Sequence, residues 1–278
     1  MKVAVLGFGR EGRAVYKFLK RQGLKNVSIL DRKLDKDYLK HLKEYDIIYR
    51  SPGIHFSRKE IQEAIKAGVK ISGCTELFFQ NKKGLVIGVT GTKGKGTTST
   101  IIYQMLKASG KDVYLAGNIG KPAVEILPKL KKNSITILEL SSFQLQDLKY
   151  SPEIAIVLNI FPDHMDAHKN FKEYVDAKAN IVGYQKKNDK VFYAADNKYS
   201  QGIAELSPGK LIPVDHKNFK IFSLTDIKTL GDHNFKNAAT AAMVAMSLGA
   251  SKETVKRIVK RYKGLPYHLT LDGIINGV

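Results

Sequence analysis

The chain has 278 residues, 43% of them hydrophobic, and its 46 lysines and arginines against 26 acids give a formal charge of +20. No apolar run approaches the ~20 residues needed to span a bilayer. The start, MKVAVLGFGREG, turns to glycine before a signal-peptide core could form, and the lone Cys74 rules out an internal disulfide framework. These features exclude a membrane-spanning or disulfide-stapled protein and make the cytoplasm the expected compartment. The basic excess favours anionic ligands, nucleotides first. Nucleic acid ranks lower, because lysines such as Lys17, Lys20, Lys186, Lys187, Lys256 and Lys260 are scattered along helical stretches with no aromatic-rich RNA-binding motif beside them.

Length favours two domains. The first opens as a βαβ unit: a strand KVAVL, a glycine turn Gly7-Phe-Gly-Arg-Glu-Gly12, a helix through Leu19 closed by Gly23, and a strand VSIL ending at Asp31. Short strands are predicted at DIIY, 46–49, and at 69–71, with an amphipathic helix over 59–66 between them. After Asn81-Lys-Lys-Gly84 a second series begins with LVIGV, an apolar run suited to a strand buried on both faces. A helix over 97–108 follows, then strands SITILEL, EIAIVLNI and KVFYAA, with LIPV weaker; an alanine-rich helix after His233 ends at Gly249, and a last helix begins near Ser251. The expected fold class is α/β, with a Rossmann-like domain over 1–82, a P-loop-type ATPase domain with a mainly parallel sheet over 83–264, and a linker over 265–278.

The loop after LVIGV carries the strongest chemical signal. Gly91-Thr92-Lys93-Gly94-Lys95-Gly96-Thr97-Thr98 offers successive backbone N–H groups and a lysine at a helix N-terminus, as phosphate binding requires. Gly96 stands where a P-loop normally has a Ser or Thr for Mg²⁺, so Thr97 or water must take that role. Glu139 closes a strand at the carboxyl edge of the sheet, where ligands of open α/β sheets collect and where a carboxylate can hold Mg²⁺. Asp163-His164-Met-Asp166-Ala-His168 follows another strand; by spacing alone it also suits zinc.

Lys178 is the anomaly. The apolar stripe 171, 174, 175, 181 and 182 includes position 178 on the same face, and lysine is rarely buried without a partner, so it is a functional candidate unless it snorkels at the stripe's edge. Farther on, Asn234 and Asn237 open the alanine-rich helix; their amides suit an adenine edge or a plain cap.

GTKGKGTT, the Asn118-Ile-Gly120 loop, Ser141-Ser-Phe-Gln144-Leu145, DHMDAH, Tyr174-x-x-Ala-Lys178 and GDHNFKN occur in an order that resembles the Mur ligases, nearest their D-glutamate-adding members. The resemblance implies an ATP-dependent carbon–nitrogen ligase of peptidoglycan precursor synthesis, with ATP and Mg²⁺ as cofactors and UDP-N-acetylmuramoyl-L-alanine and D-glutamate as substrates. It implies that Lys95, Glu139, His164 and Lys178 are catalytic, Lys178 as a carbamate, and that Thr97, Glu139, His164 and Lys178 serve the metal. Asn234 and Asn237 would join the loop residues 91–98 in holding ATP. Gly7, Gly9, Gly12, Asp31, Arg32, Ser51, Gly53, Asn118, Ser141, Gln144 and His164 would hold the UDP substrate. Ser51-Pro-Gly-Ile54 equally reads as a tight loop, and Ala167 replaces an arginine common in the family.

A folylpolyglutamate synthase would explain Lys95-Gly96-Thr97, but the resemblance to that family implies a loop near the N-terminus with no GxGxxG domain ahead of it, whereas here Gly7–Gly12 precedes the loop. Another Mur ligase and a non-catalytic nucleotide-binding module are the other rivals. The ending GLPYHLTLDGIINGV resembles the linker into a third Mur domain, with Tyr267-His268 where His-Arg is usual. The expectation is that the chain stops at that threshold and binds ligands without turnover, a separate polypeptide carrying the third domain being a candidate partner.

Overall fold

The computed structural model describes residues 1–229 and 231–265; the expected linker therefore lies, beyond Leu265, outside the described residues. Its strands form two sheets in which every pairing is parallel. The first contains β1 (Val3–Leu6), β2 (Val27–Leu30), β3 (Ile47–Arg50) and β4 (Lys70–Ser72) in the order β2-β1-β3-β4. Alternate side chains of β1 enter different cores. Val3 and Val5 pack with Ala14, Val15 and Leu19 of α1 (Arg10–Arg21), while Ala4 and Leu6 pack with Leu42, Ile48 and, from α2 (Lys59–Lys66), Ile61 and Ala64. A strand covered on both faces needs a continuous apolar run, which is what the sequence shows there.

The next helix, α3 (Cys74–Asn81), has no counterpart in the sequence reading. Its residues 74–79 are all buried, the polar Thr75 and Glu76 included, so apolar residues do not mark out one buried face and there is no amphipathic period to detect. It sits between the sheets: Leu77 and Phe78 share one core with Val3 and Val5 of β1 and with Val86 and Leu138 of the second sheet.

That second sheet contains β5 (Leu85–Thr90), β6 (Val113–Gly117), β7 (Ile135–Glu139), β8 (Ile154–Val157), β9 (Lys190–Ala194) and β10 (Lys210–Val214), ordered β10-β9-β8-β5-β7-β6. Its helices are α4 (Lys95–Ala108), α5 (Ala123–Ile126), α6 (Ser142–Leu145), α7 (Phe171–Ala179), α8 (Lys198–Ala204), α9 (Asp232–Ser247) and α10 (Lys252–Arg261). β6 and α8 were not read from the sequence. β6 is an edge strand with three partly exposed residues, so it lacks the apolar run of its buried neighbours. LIPV belongs to the opposite edge, where the missing N–H of Pro213 breaks no ladder on the outer side. The helix expected from Thr97 begins at Lys95, because Gly94 takes the left-handed conformation and starts the turn earlier. The alanines of α9 do let helices approach: Ala238, Ala241, Ala242 and Ala245 are buried in one cluster with Ile101, Ile102 and Met105 of α4.

Strand order locates the site. From β5 the chain places β7 on one side and β8 on the other, so the carboxyl end of β5 is a topological switch point, a crevice between diverging loops.

Polar contacts join the two sheets beside this crevice. Arg50, 5% exposed at the end of β3, donates to Asp147 Oδ1 at 2.8 Å and to the carbonyls of Phe143 at 3.1 Å and Ile54 at 2.6 Å. Gln144 Nε2 donates to Glu11 Oε1 at 2.6 Å, and burial pushes the Glu11 carboxyl up to about 6. Removing one member of a buried ion pair strands the other, at a cost of about 3–5 kcal/mol. Arg50→Ala is therefore expected to lose stability on that scale in urea unfolding, and the paired replacement Arg50→Met with Asp147→Leu to recover most of it. A single-variant loss no larger than that of an exposed pair would contradict this role.

Candidate active site

The loop after β5 is shaped by what glycine permits. Gly91 has φ +149°, and a Cβ there would lie 2.6 Å from Leu158 Cβ; Gly94 has φ +83°, and its Cβ would lie 2.2 Å from Asn237 Oδ1. Any other residue at either position meets both strain and a neighbour. Asn237 thus packs directly on the loop from the first turns of α9. Thr92 fastens the loop to the opposite wall. Its hydroxyl donates to Phe161 O at 3.0 Å, accepts from Phe161 N–H at 2.9 Å, and lies 3.0 Å from the Tyr174 hydroxyl, which is left as the donor of that contact.

Two ammonium groups converge on one carbonyl in this loop. Lys95 Nζ donates to Gly91 O at 3.1 Å and Thr92 O at 2.9 Å, and Lys178 Nζ donates to the same Gly91 O at 3.0 Å and to Thr90 Oγ1 at 3.5 Å. Lys178 is 1% exposed, with its Nζ 4.5 Å from the centre of the Tyr174 ring. It does not snorkel. Burial, and then the neighbouring Lys95, lower its pKa to about 7; burial also lowers that of Lys95. Glu139 and Asp163 pull weakly the other way.

Glu139, 6% exposed, ends β7 beside the loop. Asn118 donates its side-chain amide to Glu139 Oε1 at 3.1 Å and its backbone N–H to Glu139 O at 3.0 Å. The other oxygen, Oε2, would be 3.1 Å from a Cβ on Gly96, so Gly96 is what lets the carboxylate approach the start of α4. A cavity of roughly 600 Å³, within the ordinary range for a small-molecule site, is lined by Lys93 to Thr97, Asn118, Glu139, His233, Asn234, Asn237 and Tyr262. Of the residues expected to hold ATP, Lys93 to Thr97, Asn234 and Asn237 line this cavity with Glu139, whereas Gly91, Thr92 and Thr98 do not. Thr97 lies near the Tyr262 hydroxyl, which has no hydrogen-bond partner among the described residues. Thr98 is fully buried, its hydroxyl has no hydrogen-bond partner among the described residues, and it does not line the cavity.

His164 is exposed, in a turn at φ +54°, with Asp163 Oδ2 3.7 Å away and its ring 5.4 Å from that of Phe143. His168 is buried, stacks against the Phe143 ring at 5.2 Å, and contacts Ser142 Oγ at 3.0 Å. Residues 163–168 form no helix, so the two imidazoles share no helical face, and among the described residues no group of three His, Cys, Asp or Glu side chains could hold a metal. The zinc alternative therefore falls. Mg²⁺ asks less of the protein, since it keeps waters and binds through one or two carboxylates plus phosphate; the half-engaged Glu139 carboxylate fits that demand.

The residues predicted for the UDP substrate divide. Gly7 (φ +85°) and Gly12, where a Cβ would fall 2.0 Å from Gly7 O, are required by the backbone, whereas Gly9 and Gly53 face open space. Asp31 does not present a free carboxylate: it accepts Phe8 N–H at 2.6 Å and Lys33 N–H at 2.9 Å, and these bonds hold its pKa low. Ser51 Oγ donates to Gly7 O at 2.7 Å, and Arg32 is exposed. Ser141 and Gln144 close a capping box on α6, and Gln144 also binds Glu11, so both are engaged within the protein. Sequence reasoning missed Arg10, Glu11, Arg50 and Asp147, whose partners lie about a hundred residues away; the arginine and glutamate inside the glycine turn were the available signal.

A glycine-rich loop at the switch point of a parallel sheet, preceded by a Rossmann-type sheet, defines a nucleotide-using α/β protein. Residues 89–224 match the Mur ligase middle domain. Over 100% of its length the chain is 32% identical to the UDP-N-acetylmuramoylalanine--D-glutamate ligase of Acetivibrio thermocellus and 31% identical to that of Clostridium botulinum, covering 68% of each. Among solved structures it is similar to the UDP-N-acetylmuramate:L-alanyl-gamma-D-glutamyl-meso-diaminopimelate ligase from Neisseria meningitides, with TM-score 0.65, 14% identity, and 95% and 98% of the two chains covered. A murein peptide ligase from Psychrobacter arcticus gives TM-score 0.61, 16% identity, and 99% and 71% coverage. At these identities the structural likeness speaks to fold alone. The chain belongs to the Mur ligase family and is an ATP-dependent ligase. No helix among the described residues is long and apolar enough to cross a membrane.

The lowered pKa of Lys178 fixes the sign of a stability test. Between about 7 and its ordinary value the unfolded chain holds the proton that the folded chain has released, so folding stability rises with pH across that window. Lys178→Met, which removes the buried cation, should be more stable than the natural protein at pH 7, and the gap should narrow by pH 9.5 in urea unfolding. A gap independent of pH would contradict a shifted lysine.

Proposed function

We propose that the chain serves the addition of D-glutamate to UDP-N-acetylmuramoyl-L-alanine in peptidoglycan precursor synthesis. The convergence of Lys95 and Lys178 on the Gly91 carbonyl carries the reading: two amine groups crowd the carboxyl end of β5, Lys95 offers its charge to an anionic ligand in the cavity, and a nucleotide triphosphate fits the loop. The names of the relatives supply the acceptor and the amino acid.

In the reaction, a carboxylate oxygen of the muramoyl-alanine attacks the γ-phosphorus of ATP as the bond to the bridging oxygen breaks, giving an acyl phosphate and ADP. The amine of D-glutamate then attacks the acyl carbon, phosphate leaves, and the nitrogen loses its proton. Most of the catalysis is positioning and charge stabilisation. Lys95 exchanges its two loop carbonyls for phosphate oxygens, and first-turn N–H groups of α4, which have no partners within the helix, complete the cradle. Glu139, oriented by Asn118, and Thr97 would hold Mg²⁺, which when bound neutralises charge on the β- and γ-phosphates. His164, at the mouth of the crevice, would serve the transferred group. Asn237, fixed against Gly94, and Asn234 face the adenine. The Gly9 face, with Ser51, Gly53 and Arg32 around it, would take the uridine diphosphate.

Lys178 would act as a carbamate. With its pKa near 7, much of the amine is neutral at cellular pH; its lone pair adds to CO₂, an N–C bond forms, and a proton leaves to solvent. The product is an anion where a cation stood, which lifts the repulsion from Lys95 and gives the site a further oxygen ligand.

A folate-type substrate is the specific rival, favoured by Gly96. Calorimetry should show saturable binding of ATP with Mg²⁺ and of UDP-N-acetylmuramoyl-L-alanine; binding of a tetrahydrofolate in place of the latter would overturn the assignment. Lys95→Ala, which deletes charge-assisted contacts of about 1.5–3 kcal/mol, should weaken ATP by roughly 10- to 150-fold with the fold retained by circular dichroism. Undiminished ATP affinity would refute the role given to the loop.

A further inference from the structure

The glycine turn of the first sheet and the nucleotide loop of the second are joined by one side chain. Arg10 is the first residue of α1, inside the turn Gly7–Gly12. Its guanidinium reaches across to three carbonyls of the β6–α5 loop: Nη2 donates to Gly117 O and Asn118 O, each at 3.1 Å, and Nη1 to Gly120 O at 3.3 Å. The loop it grips is stiff. Gly117 and Gly120 both have positive φ, and added Cβ atoms would lie 2.4 Å from Glu139 O and 2.8 Å from Leu115 O. The middle residue of that loop, Asn118, is the one that holds the Glu139 carboxylate through its side chain and the Glu139 carbonyl through its N–H.

We propose that Arg10 is a positioning residue that couples the two ligand sites: it fixes the Gly117–Gly120 loop, and through Asn118 the Glu139 carboxylate, according to whether the Gly7–Gly12 turn is occupied. The inference rests on the assignment of a uridine nucleotide to that turn and ATP to the loop after β5. A planar fork that satisfies three carbonyls in one orientation responds to a shift of α1 or its turn in a way a point charge does not. A ligand phosphate settling on the first turn of α1 would also meet the Arg10 charge, and the guanidinium would answer to both. Occupancy of the acceptor site would then help to set the Glu139 carboxylate for phosphoryl transfer, which limits ATP hydrolysis when the acceptor is missing.

The test is the ratio of affinities, not either affinity alone. ADP with Mg²⁺ is titrated calorimetrically into the protein with and without saturating UDP-N-acetylmuramoyl-L-alanine, for the natural chain, Arg10→Ala and Arg10→Lys. Coupling between sites is typically 5- to 150-fold. The natural chain should show a shift of at least about fivefold, Arg10→Ala less than twofold, and Arg10→Lys an intermediate value, since a single ammonium cannot span three acceptors. Amide hydrogen exchange gives a ligand-free check: protection over 117–120 should fall in Arg10→Ala. Full coupling in Arg10→Ala, or protection unchanged, would overturn the proposal. Binding of both ligands to the natural chain without any coupling would overturn it too, and would leave the ligand assignment standing. Failure of UDP-N-acetylmuramoyl-L-alanine to bind at all would instead overturn that assignment, and the coupling with it.

Discussion

Gly91 accepts hydrogen bonds from two lysines, and much of the active region follows from that shared carbonyl. A buried ammonium ordinarily needs a carboxylate, and Lys178 is given a carbonyl, a threonine hydroxyl and a tyrosine face instead. The environment therefore disfavours its charged form, and Lys95 at the same oxygen disfavours it further. The fold tolerates this because the strands around it are buried on both faces and the loop geometry is over-determined: Gly91 has no room for a side chain beside Leu158, and Thr92 is bonded to both the Phe161 backbone and Tyr174. Strain and unmatched charge held by rigid surroundings mark places where a ligand completes the structure.

The second sheet supplies the position and the first sheet supplies the register. Because β7 and β8 lie on opposite sides of β5, Glu139 and the loops after β8 flank the nucleotide loop without any special device. The orientation of Glu139 then depends on Asn118, and Asn118 depends on a loop gripped by Arg10 from the other domain. Arg50 and Gln144 tie the same two layers a few residues away. The glycine turn of the first sheet and the loops beside Glu139 in the second are thus parts of one hydrogen-bonded seam, backed by a shared apolar core through α3.

Sequence pattern was most informative where one physical requirement dominates. Continuous apolar runs announced the central strands, since burial on both faces removes the alternation that edge strands keep; β6, half exposed, escaped for the converse reason. Lys178 was legible because a single charge interrupted an otherwise apolar stripe. The helix over 59–66 was visible from its amphipathic period, whereas α3, with polar Thr75 and Glu76 buried beside its apolar residues, was not. Roles that depend on distant partners were hidden. Asp31, expected among the residues for the UDP substrate, also holds the glycine turn through Phe8 N–H; Gln144, expected beside the same substrate, also ties α6 to Glu11; His164 and His168, close in sequence, lie in different surroundings, one exposed and one buried. Local spacing gives no information on contacts made across a hundred residues, and Arg10 and Arg50 act only through such contacts.

The central claim is that burial turns Lys178 from a cation into a nucleophile for CO₂ beside the nucleotide loop. Carbon-13 NMR of the protein equilibrated with ¹³C-bicarbonate at pH 8 reads this directly. The account predicts one carbamate carbonyl resonance that is present in the natural chain, absent in Lys178→Met, and lost as pH falls below about 7, where the amine is protonated. A spectrum with no carbamate signal, or one that persists in Lys178→Met, would contradict it.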